Sequence, residues 1–154
     1  MTKRRERPEP TFWGTVSLAW RSLGGEGSYG LNLWLLPEDD IYGPGLPPGH
    51  HYKRYSNAAG NVPIIGDSVW VGAWPFSEDT VPDDLTGEGG YGSVGSPSYP
   101  HARGRFMGRF CIDRHKMAIN VGFVDTHVDR VSLKDLWTLP WHEHFIPNAD
   151  ISVP

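Results

Sequence analysis

The sequence predicts a β-dominated α+β fold, with one small antiparallel sheet, long loops and a short C-terminal helix. Three observations predict it. Glycine (19) and proline (14) together exceed a fifth of the 154 residues, which favours short strands and turns over a helical bundle. Apolar side chains alternate with period two in several short runs, most cleanly at Ile119, Val121 and Phe123. Seven tryptophans, six tyrosines and six phenylalanines supply large apolar area per residue, which suits a small loop-rich core.

Residues 1–11 are polar, basic and bracketed by Pro8 and Pro10. They predict a flexible lead-in to a single globular domain over 12–154, the size one core serves. Residues 12–23 are apolar-rich but too mixed to assign, and Gly24-Gly25-Glu26-Gly27 breaks whatever precedes it. Ser28 to Leu36 predicts a strand, with Tyr29, Leu31, Leu33 and Leu35 on one parity and Trp34 and Leu36 on the other. Residues 37–60 form a long connection of the kind that is usually functional or interfacial. Asn61 to Trp74 has strand composition, with Gly66 hinting at a bulge or a close backbone approach. Residues 75–100 predict a second long loop with acidic patches at Glu78-Asp79 and Asp83-Asp84.

The C-terminal third carries the clearest pattern. Residues 105–112 predict a strand. Residues 119–124 then pair with His127–Val131 across a two-residue link, Asp125-Thr126, in a β-hairpin. Ser132 followed by Asp135 suggests a capping box opening a helical turn from Leu133 to Thr138, which Pro140 ends. About five strands result.

Charge and composition narrow the function. The net charge is −4 and the basic cluster Lys3, Arg4, Arg5, Arg7 is confined to the N-terminus, so no nucleic-acid partner is expected. A lone cysteine, Cys111, permits no internal disulfide and reads as a small buried hydrophobe. No run approaches the ~20 apolar residues of a membrane span, and no apolar stretch follows the N-terminal charges as in a signal peptide.

Four ordered blocks resemble a known family. Gly27-Ser28-Tyr29-Gly30-Leu31-Asn32 is the first. Asn61-Val62-Pro63, with Asp67, Trp70, Gly72, Trp74 and Pro75 at fixed spacing, is the second. Arg109-Phe110-Cys111-Ile112 leading to Arg114-His115 is the third. The last runs from His115 across nine residues to Asp125, and on to Leu136-Trp137-Thr138-Leu139 with Trp141-His142. Together they resemble the prepilin-type processing-associated domain, a pseudopilin-like family with a His-x9-Asp-Gly signature. The resemblance covers roughly residues 19–75 and 105–145. It implies a pilin or pseudopilin-like head domain, Asn120 among its structural positions, borne in such proteins on a long apolar helix that this chain lacks. It implies self-association or packing with other pilin-like subunits in the cell envelope or outside the cell. Membrane contact is expected only through that N-terminal helix. Thr126 stands where the family has Gly, which predicts a different turn type or a bulge, because a β-branched residue at positive φ costs roughly 1 kcal/mol or more.

His115, Asp125 and His127 form the tightest set of candidate metal ligands, with Asp67 and Asp113 as neighbours. Zinc would take about three such ligands and calcium six to eight oxygens; the resemblance makes calcium the candidate ion, without carrying ligands over. The competing reading is a turn aspartate bonded to its own backbone with a histidine beside it. His142-Glu143-His144 lacks the i, i+4 helical spacing of a zinc protease motif. His50 and His51, being adjacent, point in different directions. Trp34, Trp70, Trp74, Trp137 and Trp141 read first as core, then as subunit contacts, then as a carbohydrate platform. Nothing in the spacing of the carboxylates marks an acid–base pair. The expected function is a structural subunit of a pseudopilus, pilus or related surface filament rather than an enzyme. The alternatives are a surface module binding polysaccharide or protein and, last, a hydrolase using a metal at His115, Asp125 and His127.

Overall fold

The computed structural model describes residues 12–22, 24–37, 49–53, 58–87 and 106–154; the lead-in and much of the two long loops lie outside the described residues. Among these, β strands dominate and the helical pieces are all short 3₁₀ turns. Strands β1 (Trp20–Ser22) and β2 (Gly25–Gly27) make a two-stranded sheet. Strands β3 (Tyr29–Asn32), β4 (Pro63–Asp67), β5 (Gly72–Ala73), β6 (Ala118–Phe123) and β7 (Val128–Ser132) make a five-stranded one in the order β5-β3-β4-β6-β7. Three of its ladders are antiparallel, but β5 joins β3 in parallel, so the predicted antiparallel sheet is in fact mixed.

The glycine-rich run expected only to break the chain is itself β2. Gly24 turns at φ 80°, and Arg21 pairs with Glu26 across the hairpin at 2.8 Å. The predicted strand over 28–36 stops at Asn32. There the Asn32 side chain accepts the Trp34 amide and caps a 3₁₀ turn, Leu33–Leu35. Its side-chain amide also donates to the carbonyls of Pro63 (2.9 Å) and Trp141 (2.8 Å), so one buried residue joins β3, β4 and the C-terminal tail. The buried parity of β3 is Gly30 and Asn32, while Tyr29 and Leu31 face solvent. Two family-like glycines are close-approach positions: a Cβ on Gly30 would meet the Ser68 hydroxyl and the Trp70 carbonyl, and one on Gly27 would meet the Trp20 ring at 2.7 Å. Gly66 is not; the sheet irregularity lies between Pro63 and Ile65, and a Cβ at Gly66 would make ordinary contacts.

Residues 106–112, buried apart from the half-buried Arg109, form no strand. Phe110 and Cys111 both donate to the Met107 carbonyl, closing a 3₁₀ turn over Met107–Arg109. The run holds apolar residues on both sides of Gly108 and Arg109 without a clean alternation, so no periodicity separates a buried turn from a buried strand. The hairpin and the C-terminal turn fall where the sequence puts them, the latter as a 3₁₀ turn over Leu133–Thr138. The expected capping box does not form: Ser132 makes no side-chain cap bond.

The core lies on the inner face of the large sheet. Ile119, Val121 and Phe123 from β6 meet Trp34, Met107, Phe110, Ile112, Leu133, Leu136, Trp137 and Trp141. Trp34, Trp137 and Trp141 are 0% exposed. Each indole N–H finds a carbonyl, on Pro75, Asp79 and Leu136 respectively, at 2.7–2.8 Å, which removes the penalty of burying a polar atom. Asp79, expected in an acidic surface patch, is buried instead and accepts the Phe76 and Met107 amides at 3.0 and 2.6 Å.

Candidate functional site

The candidate ligands do not come together. They divide into two carboxylate–histidine pairs. Asp67 pairs with His115, its Oδ2 lying 3.1 Å from Nε2. Asp125 pairs with the Nδ1 of His127. Asn120, which binds Asp67, lies within β6, whereas Asp125 lies beyond the end of that strand in the hairpin loop.

The Asp67 pair sits on the outer face at the end of β4. Asp67 is directly opposite Tyr29 and accepts the Asn120 amide at 2.8 Å. The buried Arg114 guanidinium stands 3.8 Å from its other oxygen. Arg114 also donates to the carbonyls of Ser28 (2.5 Å) and Thr15 (2.7 Å), so it ties the first segment of the chain to the sheet. Burial pulls the guanidinium below its ordinary pKa, with Asp67 and Tyr29 opposing that shift.

His115 is placed by a strained turn. Lys116 (φ 55°) and Met117 (φ 59°) both occupy the left-handed region, and His115 N–H donates to the Ala118 carbonyl at 3.1 Å. The turn is braced from two sides. Asp113 accepts the Met117 amide at 2.6 Å, and Arg130 donates to the carbonyls of His115 and Lys116. Asp113 is thus a turn brace, not a ligand neighbour. The Asn120 side-chain amide lies 3.0 Å from the same Nε2 that faces Asp67. One nitrogen cannot accept from Asn120 and donate to a carboxylate together. The carboxylate is the stronger acceptor, which assigns the proton to Nε2 and turns the Asn120 amide oxygen toward the ring.

The second pair is a local turn. Thr126 N–H donates to the Phe123 carbonyl and Phe123 N–H to the His127 carbonyl, at 2.9 and 3.0 Å. The predicted two-residue link is therefore a three-residue loop, Val124-Asp125-Thr126, with its last residue in the left-handed region of a bulged hairpin. Thr126 holds φ 76°, so the β-branched side chain takes the strained conformation rather than avoiding it. Asp125 accepts the His127 amide at 3.1 Å, and that bond, with the His127 ring bond, draws its carboxyl below the usual range. The His127 ring stacks on Phe123 at 4.3 Å.

Neither pair fits the calcium expected from the resemblance. The oxygens of Asp67 face a guanidinium, a backbone N–H and an imidazole, which are not the oxygen ligands calcium takes. Among the described residues no three His, Cys, Asp or Glu donors converge on one point that a metal ion would take. Cys111 is fully buried, and burial pushes its thiol up to about 12, far from a nucleophile's range.

No family model, curated protein or solved structure matches the chain. The functional reading therefore rests on its own residues. The remaining resembling positions are structural in their contacts. The Ser28 backbone carbonyl accepts from Arg114, Asn32 donates to the carbonyls of Pro63 and Trp141, Trp137 and Trp141 fill the core, and Trp70 stacks on Trp13 at 4.6 Å. Trp74 is half-buried and packs edge-on against Phe106 at 5.6 Å.

A third grouping escaped the sequence reading. His50 and His142 lie with ring centroids 4.6 Å apart beside Trp34. The dipeptide and tripeptide that contain them are visible in the sequence, but no local spacing links a loop residue to the C-terminal tail.

The outer face carries one further feature. Leu31 pairs with Ile65, Ile65 with Gly122, and Gly122 with Val128. Directly opposed antiparallel residues share a face, so these four make one row across four strands. Its three side chains are exposed, Val128 by 70%. Among the described residues no helix is long and apolar enough to cross a membrane.

Proposed function

We propose that this domain is the globular head of a prepilin-like envelope protein, a structural subunit that packs against copies of itself or other pilin-like subunits in a surface filament. The exposed row Leu31-Ile65-Gly122-Val128 carries the reading. A contiguous apolar strip on a strand-paired face is the kind of surface a neighbouring subunit covers. Tyr29 extends it, and the glycine at its centre keeps it flat. The blocks that resemble the prepilin-type domain give support of a second kind. Of their polar members, the side chains of Asn32, Asp67 and Arg114 are bonded to backbone groups of other segments, as expected of a scaffold rather than of a reaction centre. Cell-envelope or extracellular placement follows from the same reading.

Cysteine crosslinking tests it. The full-length protein carrying Val128→Cys, expressed in its host, should form oxidised dimers, because the native Cys111 is buried and inert. Leu31→Asp in the same background should abolish them. Monomers only, with no filament by electron microscopy, would overturn the reading.

A further inference from the structure

Three of the seven histidines, His50, His51 and His142, pack around Trp34, and a fourth, His144, lies against His50. His51 is occupied, its Nδ1 bonded to the Leu36 carbonyl at 2.8 Å. The other three are not accounted for. His50 lies 4.6 Å from His142 and 5.8 Å from His144, ring centroid to ring centroid. His142 is 3% exposed and packs against Phe76 and Phe145. Its Nδ1 accepts the His144 amide at 3.2 Å, yet its Nε2 is buried without a partner, as is Nδ1 of His50. Buried polar atoms are almost always satisfied. Two orphaned imidazole nitrogens side by side call for a ligand.

We propose that His50, His142 and His144 form a binding site for one divalent transition-metal ion of the zinc, nickel or copper class. Imidazole-only ligation suits these ions and not calcium or magnesium. At metal–nitrogen bonds of about 2.0–2.1 Å, tetrahedral ligation puts neighbouring imidazole centroids about 5 Å apart; the observed 4.6 and 5.8 Å bracket that value. The three rings do not yet converge on one point. His144 is exposed, so a change of its rotamer completes the set. Ligation through Nε2 of His142 needs its ring proton on Nδ1, at the expense of the long bond from the His144 amide. Burial already holds His142 neutral, the ligating form, with a pKa lowered to about 3. The bound ion would fasten the tail at Trp141–Phe145 to residues 49–53, two segments already joined by the Glu143 amide and the His50 carbonyl at 3.3 Å. The site is independent of the sheet face on which assembly rests, so either proposal survives failure of the other.

Titration calorimetry and thermal melts of the untagged protein with zinc, nickel and calcium chlorides test it. One equivalent of zinc or nickel should bind and raise the melting temperature by several degrees, reversibly with chelator, while calcium has no effect. His144→Ala, at an exposed position, should keep the metal-free melting temperature and weaken binding at least about tenfold, as loss of one ligand does. His127→Ala should change nothing. The absence of saturable binding, an undiminished affinity in His144→Ala, or binding lost in His127→Ala would each overturn the site.

Discussion

The two carboxylate–histidine pairs share their chemistry and differ in everything else. Asp67 ends β4 and His115 sits far along the chain in the turn before β6, and the carboxylate is 4% exposed with a buried arginine beside it. Asp125 and His127 are two residues apart, and their side chains are about half exposed. The first pair holds the N-terminal segment, β4 and β6 in one arrangement. The second finishes a hairpin turn that its neighbours already close. The lesson is that the weight of an ion pair is set by what is left unpaired when it is broken, not by its distance.

The sharpest way to test that contrast is to remove each carboxylate. Asp67→Ala strands the Arg114 guanidinium in the interior and should cost about 3–5 kcal/mol in chemical denaturation. If Asp67→Ala proves nearly neutral, water reaches Arg114 and the contrast between the pairs collapses. A histidine with no carboxylate at all sharpens the point. His142 is held neutral by burial and by its neighbours His50 and His144, with a pKa lowered to about 3. Its folded pKa lies below the unfolded value near 6.5, so on acidification the unfolded chain takes the proton first. Stability is retained above about pH 6.5 and falls by roughly 1.4 kcal/mol per pH unit below it, or about 2–3 kcal/mol by pH 4.5. Unfolding curves across that range should show the slope, and His142→Phe should flatten it.

Smaller effects belong to the turn. Thr126→Gly relieves a β-branched residue at φ 76° and should stabilise by about 1 kcal/mol, read as a higher denaturation midpoint with unchanged slope. Asp125→Ala should give the smallest change of the series, since water replaces the exposed carboxylate's bonds. Its contribution is present above the ordinary carboxylate range and disappears as pH falls through it, because the folded pKa is the lower one. An Asp125→Ala loss matching that of Asp67→Ala would show that the turn, too, is a structural lock.

Much of the fold is legible locally. Alternation at Ile119, Val121 and Phe123 gives β6 and the hairpin, though its link is one residue longer than predicted, and the helical turn at Leu133–Thr138 falls where expected, though its capping box does not form. The failures have identifiable physical causes. The run at 106–112 has apolar residues on both sides of Gly108 and Arg109 and lacks the period that would mark it as a turn. The segment at 28–36 reads as apolar on both parities, yet β3 exposes Tyr29 and Leu31 and buries Asn32, which is held inside by hydrogen bonds to Pro63 and Trp141 that no residue-by-residue hydrophobicity anticipates. Asp79 is drawn inside for the same reason, by the amides of Phe76 and Met107.

By itself, then, the sequence determined a β-rich chain, its C-terminal hairpin and the tryptophans that fill its core, because strand period, turn residues and apolar area act over a few neighbouring positions. Only the tertiary structure decided that Asp67 meets His115 and Arg114 rather than Asp125, that His50 reaches His142, and that Leu31, Ile65 and Val128 line up on an outer face. Those pairings depend on strand order and register, which arise when distant segments pack and which no local spacing encodes.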